Sequence, residues 1–329
     1  MTRPIAAPRV APGRLPEGIR VRRAGTADLP ACGTIWRDGI NDYLGRLNQR
    51  EIPDDLSAIG RLHAHLLATD PETFLVAVRG GDGRAATAAD GRIVAFGAAV
   101  RRDEVWFLSM LFVAPEEQGS GLGRALLDRI LPDEADAVLA TATDSQQPIS
   151  NGLYARYGIV PRMPLLSLVG RPSGTDAFGA LPSGVVAVPF EDLAAERHGN
   201  LAAAVDSLDR EVVGFAHPED HRFLRQEGRR GFLFRHGSRA VGYCYASEAG
   251  RVGPIVVRDS GLLPAALGHV LAAVEPRGAS ALWAPGFADR AIVPLVRAGF
   301  RLDQFPVLLC WTRPFADFSR YVPISPGLL

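Results

Sequence analysis

Ile19 to Arg23 alternates apolar and charged positions, the period of a half-buried strand. Thr26-Ala27-Asp28 supplies a helix start behind it. Apolar residues at helical spacing then run to about Leu47 (Leu29, Cys32, Ile35, Trp36, Ile40, Tyr43, Leu44). A second helix is predicted over Leu56–Leu67. Strands are predicted at Thr73–Val78 and Arg92–Val100, with a Gly/Ala/Asp loop from Gly80 to Gly91 between them, and a further strand at Glu104–Val113. Pro115 ends that strand, and a glycine-rich loop leads into a helix over Leu122–Leu131. Val138–Ala142 reads as a strand, Ile149–Tyr157 as a helix and Met163–Val169 as a strand.

Gly170 to Gly184, with Pro172, Gly174, Gly179 and Pro182, has the composition of a linker, and after it the order of elements repeats. Val185–Val188 is a strand, Glu191–Leu208 and His217–Glu227 are helices, and Gly231–Arg235, Ala240–Ala246 and Arg251–Val257 are strands. A helix over Leu262–Val274, a strand at Ala281–Trp283, a helix over Arg290–Ala298 and a strand at Pro306–Trp311 follow. Such a duplication makes each half one folding unit. Residues 1–18 hold four prolines with Arg3, Arg9 and Arg14, and are expected to be disordered. Phe315 to Leu329 has no regular periodicity and reads as an extended tail.

A length of 329 residues exceeds one compact core, in line with two domains. The net charge of zero removes the bulk electrostatic case for nucleic acid or an anionic membrane. No apolar run approaches the ~18 residues of a membrane span, and the start lacks the apolar core of a secretory signal. All 36 basic residues are arginine, so a phosphate-loop lysine and a Schiff-base lysine are excluded. Cys32, Cys244 and Cys310 are scattered, and His63 and His65 fall on different helical faces, so neither a disulfide framework nor a metal site is expected. A reducing cytoplasm is the expected compartment.

The chemistry concentrates in Val113-Ala114-Pro115-Glu116-Glu117-Gln118-Gly119-Ser120-Gly121-Leu122-Gly123-Arg124, where a strand enters a glycine loop and a helix leaves it. Glycines let consecutive N–H groups point into one space, and a helix N-terminus adds a positive end, so the junction favours an anion such as a pyrophosphate. Gln118 can add a donor. The spacing is neither the GxGxxG of a dinucleotide site nor the GxxxxGK of a phosphate loop.

This segment resembles the coenzyme motif of the GCN5-related N-acetyltransferases (GNAT), Gln/Arg-x-x-Gly-x-Gly/Ala, matched as Gln118-x-x-Gly121-x-Gly123. Leu111 to Pro115 resembles the usual approach to that loop. Asn151-Gly152-Leu153-Tyr154-Ala155-Arg156-Tyr157-Gly158-Ile159 is similar to the family's Leu-Tyr-x-x-x-Gly-Phe stretch, with Ile159 for the phenylalanine. The resemblance implies a fold of two tandem α/β (α+β) domains, each a mixed, mostly antiparallel sheet flanked by helices and splayed beside the coenzyme loop. Residues 19–170 would form the acetyltransferase domain, 171–184 a linker, 185–314 a degenerate second domain and 315–329 the tail. It implies acetyl-CoA as acyl donor and coenzyme A as product, with Leu111, Phe112, Val113, Gln118, Gly119, Ser120, Gly121, Leu122, Gly123, Arg124, Asn151 and Tyr154 around the coenzyme.

Tyr154 is then the general acid, since a phenol of pKa near 10 stays protonated at neutral pH and can reprotonate the thiolate. The stretch Phe107 to Leu111 has no carboxylate, which leaves Glu104 as a candidate base. Trp36, Tyr43, Ser109 and Asp144 are candidate substrate contacts. In the second half, Gly253 to Gly261 lacks the coenzyme motif, its connection is about four residues shorter, and Leu295 stands where the tyrosine would be. It resembles the C-terminal domain of tandem bacterial members. The expectation is an N-acetyltransferase, monomeric or homodimeric, acting on an amine of a small molecule or peptide. The alternative is a non-catalytic acyl-CoA sensor or partner subunit.

Overall fold

A computed structural model describes residues 13–80, 91–195 and 200–329. Most of the expected disordered start, residues 81–90 of the loop expected from Gly80 to Gly91, and residues 196–199 of the helix expected over Glu191–Leu208 lie outside the described residues.

The chain opens with β1 (Ile19–Arg23), a short 3-10 turn, α1 (Leu29–Arg46) and α2 (Ser57–Thr69). Asp28 joins the strand end to the helix start: it accepts Nη1 and Nη2 of Arg22 at 2.6 and 2.9 Å and the amide of Gly25 at 2.8 Å. The Arg22 guanidinium thereby holds the Asp28 carboxyl below the usual carboxylate range. Next come β2 (Leu75–Arg79), β3 (Arg92–Arg102), β4 (Val105–Val113) and α3 (Leu122–Ile130), with the strands hydrogen-bonded in the order β1-β2-β3-β4. Phe74, Phe96 and Phe112 stack in series at 6.0 and 5.7 Å. His63 is fully buried against Phe74 and Phe96, and burial drives its pKa down to about 4. It is a core histidine.

β5 (Val138–Asp144), α4 (Pro148–Ala155) and β6 (Val160–Gly170) follow, then β7 (Val185–Pro189), α5 (Phe190–Ala195), α6 (Leu201–Val212) and α7 (Pro218–Gln226). The remaining elements are β8 (Arg230–His236), β9 (Arg239–Ala246), β10 (Val252–Val257), α8 (Leu263–Ala273), β11 (Ser280–Pro285), α9 (Asp289–Arg297), β12 (Arg301–Leu302), β13 (Val307–Trp311) and β14 (Tyr321–Val322). The pattern therefore predicted nearly every element to within a few residues. It did not predict β12 and β14, which are two residues each and too short to show a period.

The chain divides into two compact units, and the division falls elsewhere than the expected 171–184 linker. One unit holds the residues up to Arg101 together with Trp106–Leu139; the other holds Arg102–Val105 and Ala140–Leu329. The physical reason lies in β13. It pairs antiparallel with β5, Leu309 opposite Ala142, and on its other edge with β6, Leu309 opposite Met163. β6 is in turn paired with β11, Leu282 opposite Leu168. Strands from both halves of the sequence repeat thus share one hydrogen-bonded ladder. The expected linker is also more than a spacer: Thr175–Phe178 forms a 3-10 turn, and Phe178 is buried in the core beside α8.

A separate five-stranded sheet runs β14-β10-β9-β8-β7, all antiparallel. Its core contains Phe232, Phe234, Ile255, Val257, Leu263, Leu267, Val270 and Leu295. The tail is buried rather than merely extended: Phe318, Tyr321, Val322 and Ile324 are buried, and Phe318 stacks on Trp311 at 5.5 Å. Among the described residues no helix is long and apolar enough to cross a membrane.

Two outcomes follow. A chain ended at Gly184 lacks β11, β12 and β13, leaving β6 without any of its three partners and one edge of β5 open. It is expected to aggregate, and a soluble monomer with native-like circular dichroism on size exclusion would show that β5 and β6 hold without β13. On α9, Leu295 is fully buried while Val296 is 51% exposed. Leu295→Ala should cost ~2–5 kcal/mol in denaturant unfolding and Val296→Ala less than ~0.5 kcal/mol.

Candidate active site

β4 changes character along its length. Val105 to Met110 are buried, whereas Leu111, Phe112 and Val113 are half-exposed where the strand runs into the glycine loop. A 3-10 turn over Pro115–Glu117 follows, and Gly121 caps α3. α3 is held down by Leu122, Ala125, Leu126, Leu127 and Ile130, all buried on one face. Gly97 in β3 makes that packing possible, because a Cβ there would meet Ile130 Cδ1 at 2.5 Å.

Gly119 and Gly121 have φ of 77° and 83°, the left-handed region that glycine enters without steric cost. A Cβ built on either would touch nothing within 4 Å, so the space before the loop is open. The first amides of any helix lack intrahelical acceptors. Here Ala125 N reaches Gly121 O at 3.0 Å. Among the described residues the amides of Gly119, Ser120, Gly121, Leu122, Gly123 and Arg124 have no acceptor. The result is a run of free donors at a helix N-terminus, the arrangement that takes a phosphate.

Two carboxylates that precede the loop are neutralised. Arg79 donates Nε to Glu117 at 2.6 Å and a second bond from Nη2, and Arg92 pairs with Glu116. The Arg79 hydrogen bonds hold the Glu117 carboxyl below its ordinary value of 4.5 against the opposing effect of burial. Gln118, expected to point a donor at the ligand, instead donates Nε2 to Val113 O at 3.1 Å and braces the loop. Ser120 Oγ donates to Glu117 O at 2.7 Å. The Arg124 side chain at the first turn of α3 is 39% exposed.

The second motif lies on α4. Tyr154 is 5% exposed, and among the described residues its hydroxyl makes no hydrogen bond. Burial, with Cys310 as a smaller contributor, drives its pKa far above 10, so the phenol keeps its proton. Asn151 ties the turn between β5 and α4, donating Nδ2 to Asp144 O at 3.0 Å and Gln147 O at 2.8 Å. Its Oδ1 and the Ser145 Oγ are buried and unpartnered among the described residues. Asp144 ends β5.

Glu104 lies in the turn before β4, at the end away from the glycine loop. Its side chain is 81% exposed and pairs with Arg313 at 3.2 Å. Ser109 is nearly buried in β4, and Trp36 and Tyr43 are half-buried on α1. Beside them Arg37, Asp38, Asn41, Glu51, Ile52, Pro53 and Asp54 line a cleft of about 570 Å³. Asn41 fixes its wall through paired bonds with the backbone of Ile52, at 3.1 and 2.7 Å.

The position in the second half that matches the glycine loop is closed. Asp259 accepts the amide of Gly261 at 2.8 Å and caps the turn before α8, consuming a donor of the kind left free in the first loop. Tyr243 and Tyr245 of β9 are fully buried. One cluster escaped the sequence reading: Asp209, His217 and His221 converge in the second unit. The signal for it was the four-residue spacing of His217-Pro-Glu-Asp-His221, which aligns both imidazoles on one helical face.

Several solved structures share this architecture over nearly the whole chain. A candidate acetyltransferase from Pyrococcus horikoshii superposes with a TM-score of 0.70 at 14% identity, covering 97% of this chain and 99% of its own. A GCN5-related N-acetyltransferase from Sphaerobacter thermophilus gives 0.58 at 18% identity, with 93% and 100% covered. A tandem GNAT protein from the clavulanic acid biosynthesis pathway gives 0.51 at 17% identity, with 90% and 99% covered. The fold is therefore the GNAT fold in its tandem form. Residues 43–159, from within α1 to the end of the α4 motif, match the acetyltransferase (GNAT) family. No curated protein matches the sequence.

The Glu117 contact gives a pH-dependent outcome. A carboxylate held low in the folded state stabilises above its unfolded pKa, and that stability is lost as pH falls through the folded value. Wild type should be more stable than Glu117→Gln at pH 6, and the gap should close progressively below about pH 4.5, read from urea midpoints at each pH.

Proposed function

We propose that the protein is an N-acetyltransferase that carries acetyl from acetyl-CoA to an amine of a small molecule or peptide. The observation that carries this reading is the run of free amides from Gly119 to Arg124 at the start of α3. The loop fits a pyrophosphate: its donors converge at a helix N-terminus, its glycines leave open space, and Arg79 and Arg92 neutralise the nearest carboxylates. Acetyl-CoA, when bound, supplies an activated acetyl thioester.

The residues of this chain then have the following roles. The loop amides and Arg124 hold the pyrophosphate. The backbone of Leu111, Phe112 and Val113, on the uncovered end of β4, binds the pantetheine arm and polarises the thioester carbonyl. With acetyl-CoA bound, the neutral amine nitrogen would attack the carbonyl carbon as the C–S bond breaks; the nitrogen's surplus proton would pass to water, and Tyr154 would give its proton to the departing thiolate and regain one from water. Asn151 sets the turn that leads into the helix bearing Tyr154. Glu104, exposed and paired with Arg313, enters only as a base acting through water. Asp38, Glu51 and Asp54 outnumber Arg37 around the α1 cleft, which suits an acceptor that arrives as a cation. Trp36, Tyr43, Ser109 and Asp144 are proposed acceptor contacts.

Calorimetric titration of acetyl-CoA should give one site per chain in the wild type and none in Gly121→Glu. Tyr154→Phe should lower amine-dependent release of the coenzyme thiol ~10²-fold or more with coenzyme affinity within a few-fold. Binding that survives in Gly121→Glu would move the coenzyme off this loop. Binding without turnover for any amine tested, unchanged by Tyr154→Phe, would instead support a non-catalytic acyl-CoA sensor.

A further inference from the structure

The proposed transfer makes no use of a polar cluster buried in the second unit. Asp209 on α6, His217 at the N-cap of α7 and His221 within α7 are 0, 0 and 4% exposed. Each offers a ligand atom, and the three atoms lie within 4.8 Å of one another. Asp209 Oδ2 is 2.9 Å from His221 Nε2 and 3.4 Å from His217 Nε2. Ligands bonded at 2.0–2.1 Å to a tetrahedral ion stand ~3.3 Å apart, so this spacing suits one shared cation.

Two further observations favour a cation over a plain hydrogen-bonded cluster. First, both ring nitrogens of His217 are buried and make no hydrogen bond among the described residues. Its contacts of 3.4 Å to Asp209 and 3.3 Å to Asp220 are longer than charge-assisted bonds, which fall at about 2.7–2.9 Å. Second, each ligand has an outer partner of the kind that orients metal ligands. His221 Nδ1 lies 3.0 Å from Tyr245 Oη, and Tyr243 Oη donates to the other Asp209 oxygen at 2.6 Å. His217 Nδ1 faces Asp220, whose carboxylate is held by Arg102 at 3.0 and 3.2 Å. Both Nε2 atoms face Asp209 Oδ2, so the tautomer with Nδ1–H outward would direct two lone pairs to one place.

We propose that Asp209, His217 and His221 form a structural binding site for a divalent first-row transition ion of the zinc class, with a solvent oxygen as fourth ligand. The donor set of two imidazoles and one carboxylate matches zinc better than calcium or magnesium, which take oxygen ligands. The ion ties α6 and α7 together, and through Tyr243 and Tyr245 it anchors both to β9. Without an ion, Asp209 and Asp220 face His217 at 3.4 and 3.3 Å. A closed charge network is thus the competing state.

The test uses the full-length protein, stripped with a chelator and titrated with ZnCl₂ or CoCl₂. Expected are about one zinc per chain by elemental analysis of the purified protein, visible d–d absorption with cobalt, and a melting temperature raised on the order of 5 °C by excess zinc. His221→Gln and Asp209→Asn should each weaken zinc uptake ~10-fold or more, while His221→Cys, which restores a ligand, should retain it. The wild-type cobalt spectrum and zinc stoichiometry stand even if a variant fails to fold. A stripped wild type that melts identically with and without zinc, or zinc binding unchanged in the variants, would overturn the proposal and leave the charge network.

Discussion

The arrangement of the second unit depends on β13 being hydrogen-bonded along both edges. Five residues from the end of the chain are paired with β5 on one side and β6 on the other. Those two strands flank α4, the helix of the tyrosine motif, so that motif is framed by a strand from the opposite end of the sequence. Unpaired backbone groups in a buried sheet are costly, which makes residues 307–311 structurally inseparable from 138–170. Cys310 of β13 is one of the two influences on the Tyr154 phenol, so the late strand contributes to its electrostatics as well as to its position.

The two halves differ in how the amides before the matching helix are satisfied. In the first half, glycines at positive φ turn the chain so that six consecutive amides have no acceptor among the described residues. In the second, a shorter connection brings Asp259 onto the amide of Gly261, and the helix start is satisfied internally. A capped helix end has less to offer a phosphate. The arginines paired with Glu116 and Glu117 offset the negative charge of two carboxylates next to the loop.

The second half is nonetheless not inert filling. It buries Asp209, Asp220, His217, His221 and Arg102 with little exposure, a concentration of ionisable groups that apolar packing alone would not tolerate. Tyr243 and Tyr245 are part of this cluster, which explains why two phenols sit deep in the core with their hydroxyls engaged. The same cluster joins α6, α7 and β9 to Arg102.

The sequence by itself determined the elements and the glycine loop, because both are local. Alternation over Ile19–Arg23, helical spacing in α1 and α3, and glycines at 119, 121 and 123 act through neighbours a few residues apart. Only the tertiary structure decided what depends on distant pairing: that β13 enters between β5 and β6, that the compact units part near residue 139 rather than in a Pro/Gly stretch, and that Gln118 bonds back to Val113. It also decided that Asp209, eight residues before His217, turns toward the same point as both histidines. The physical reason is the same in each case. Local periodicity sets which face of an element is buried, but which element covers it is chosen by packing and backbone pairing summed over the whole chain.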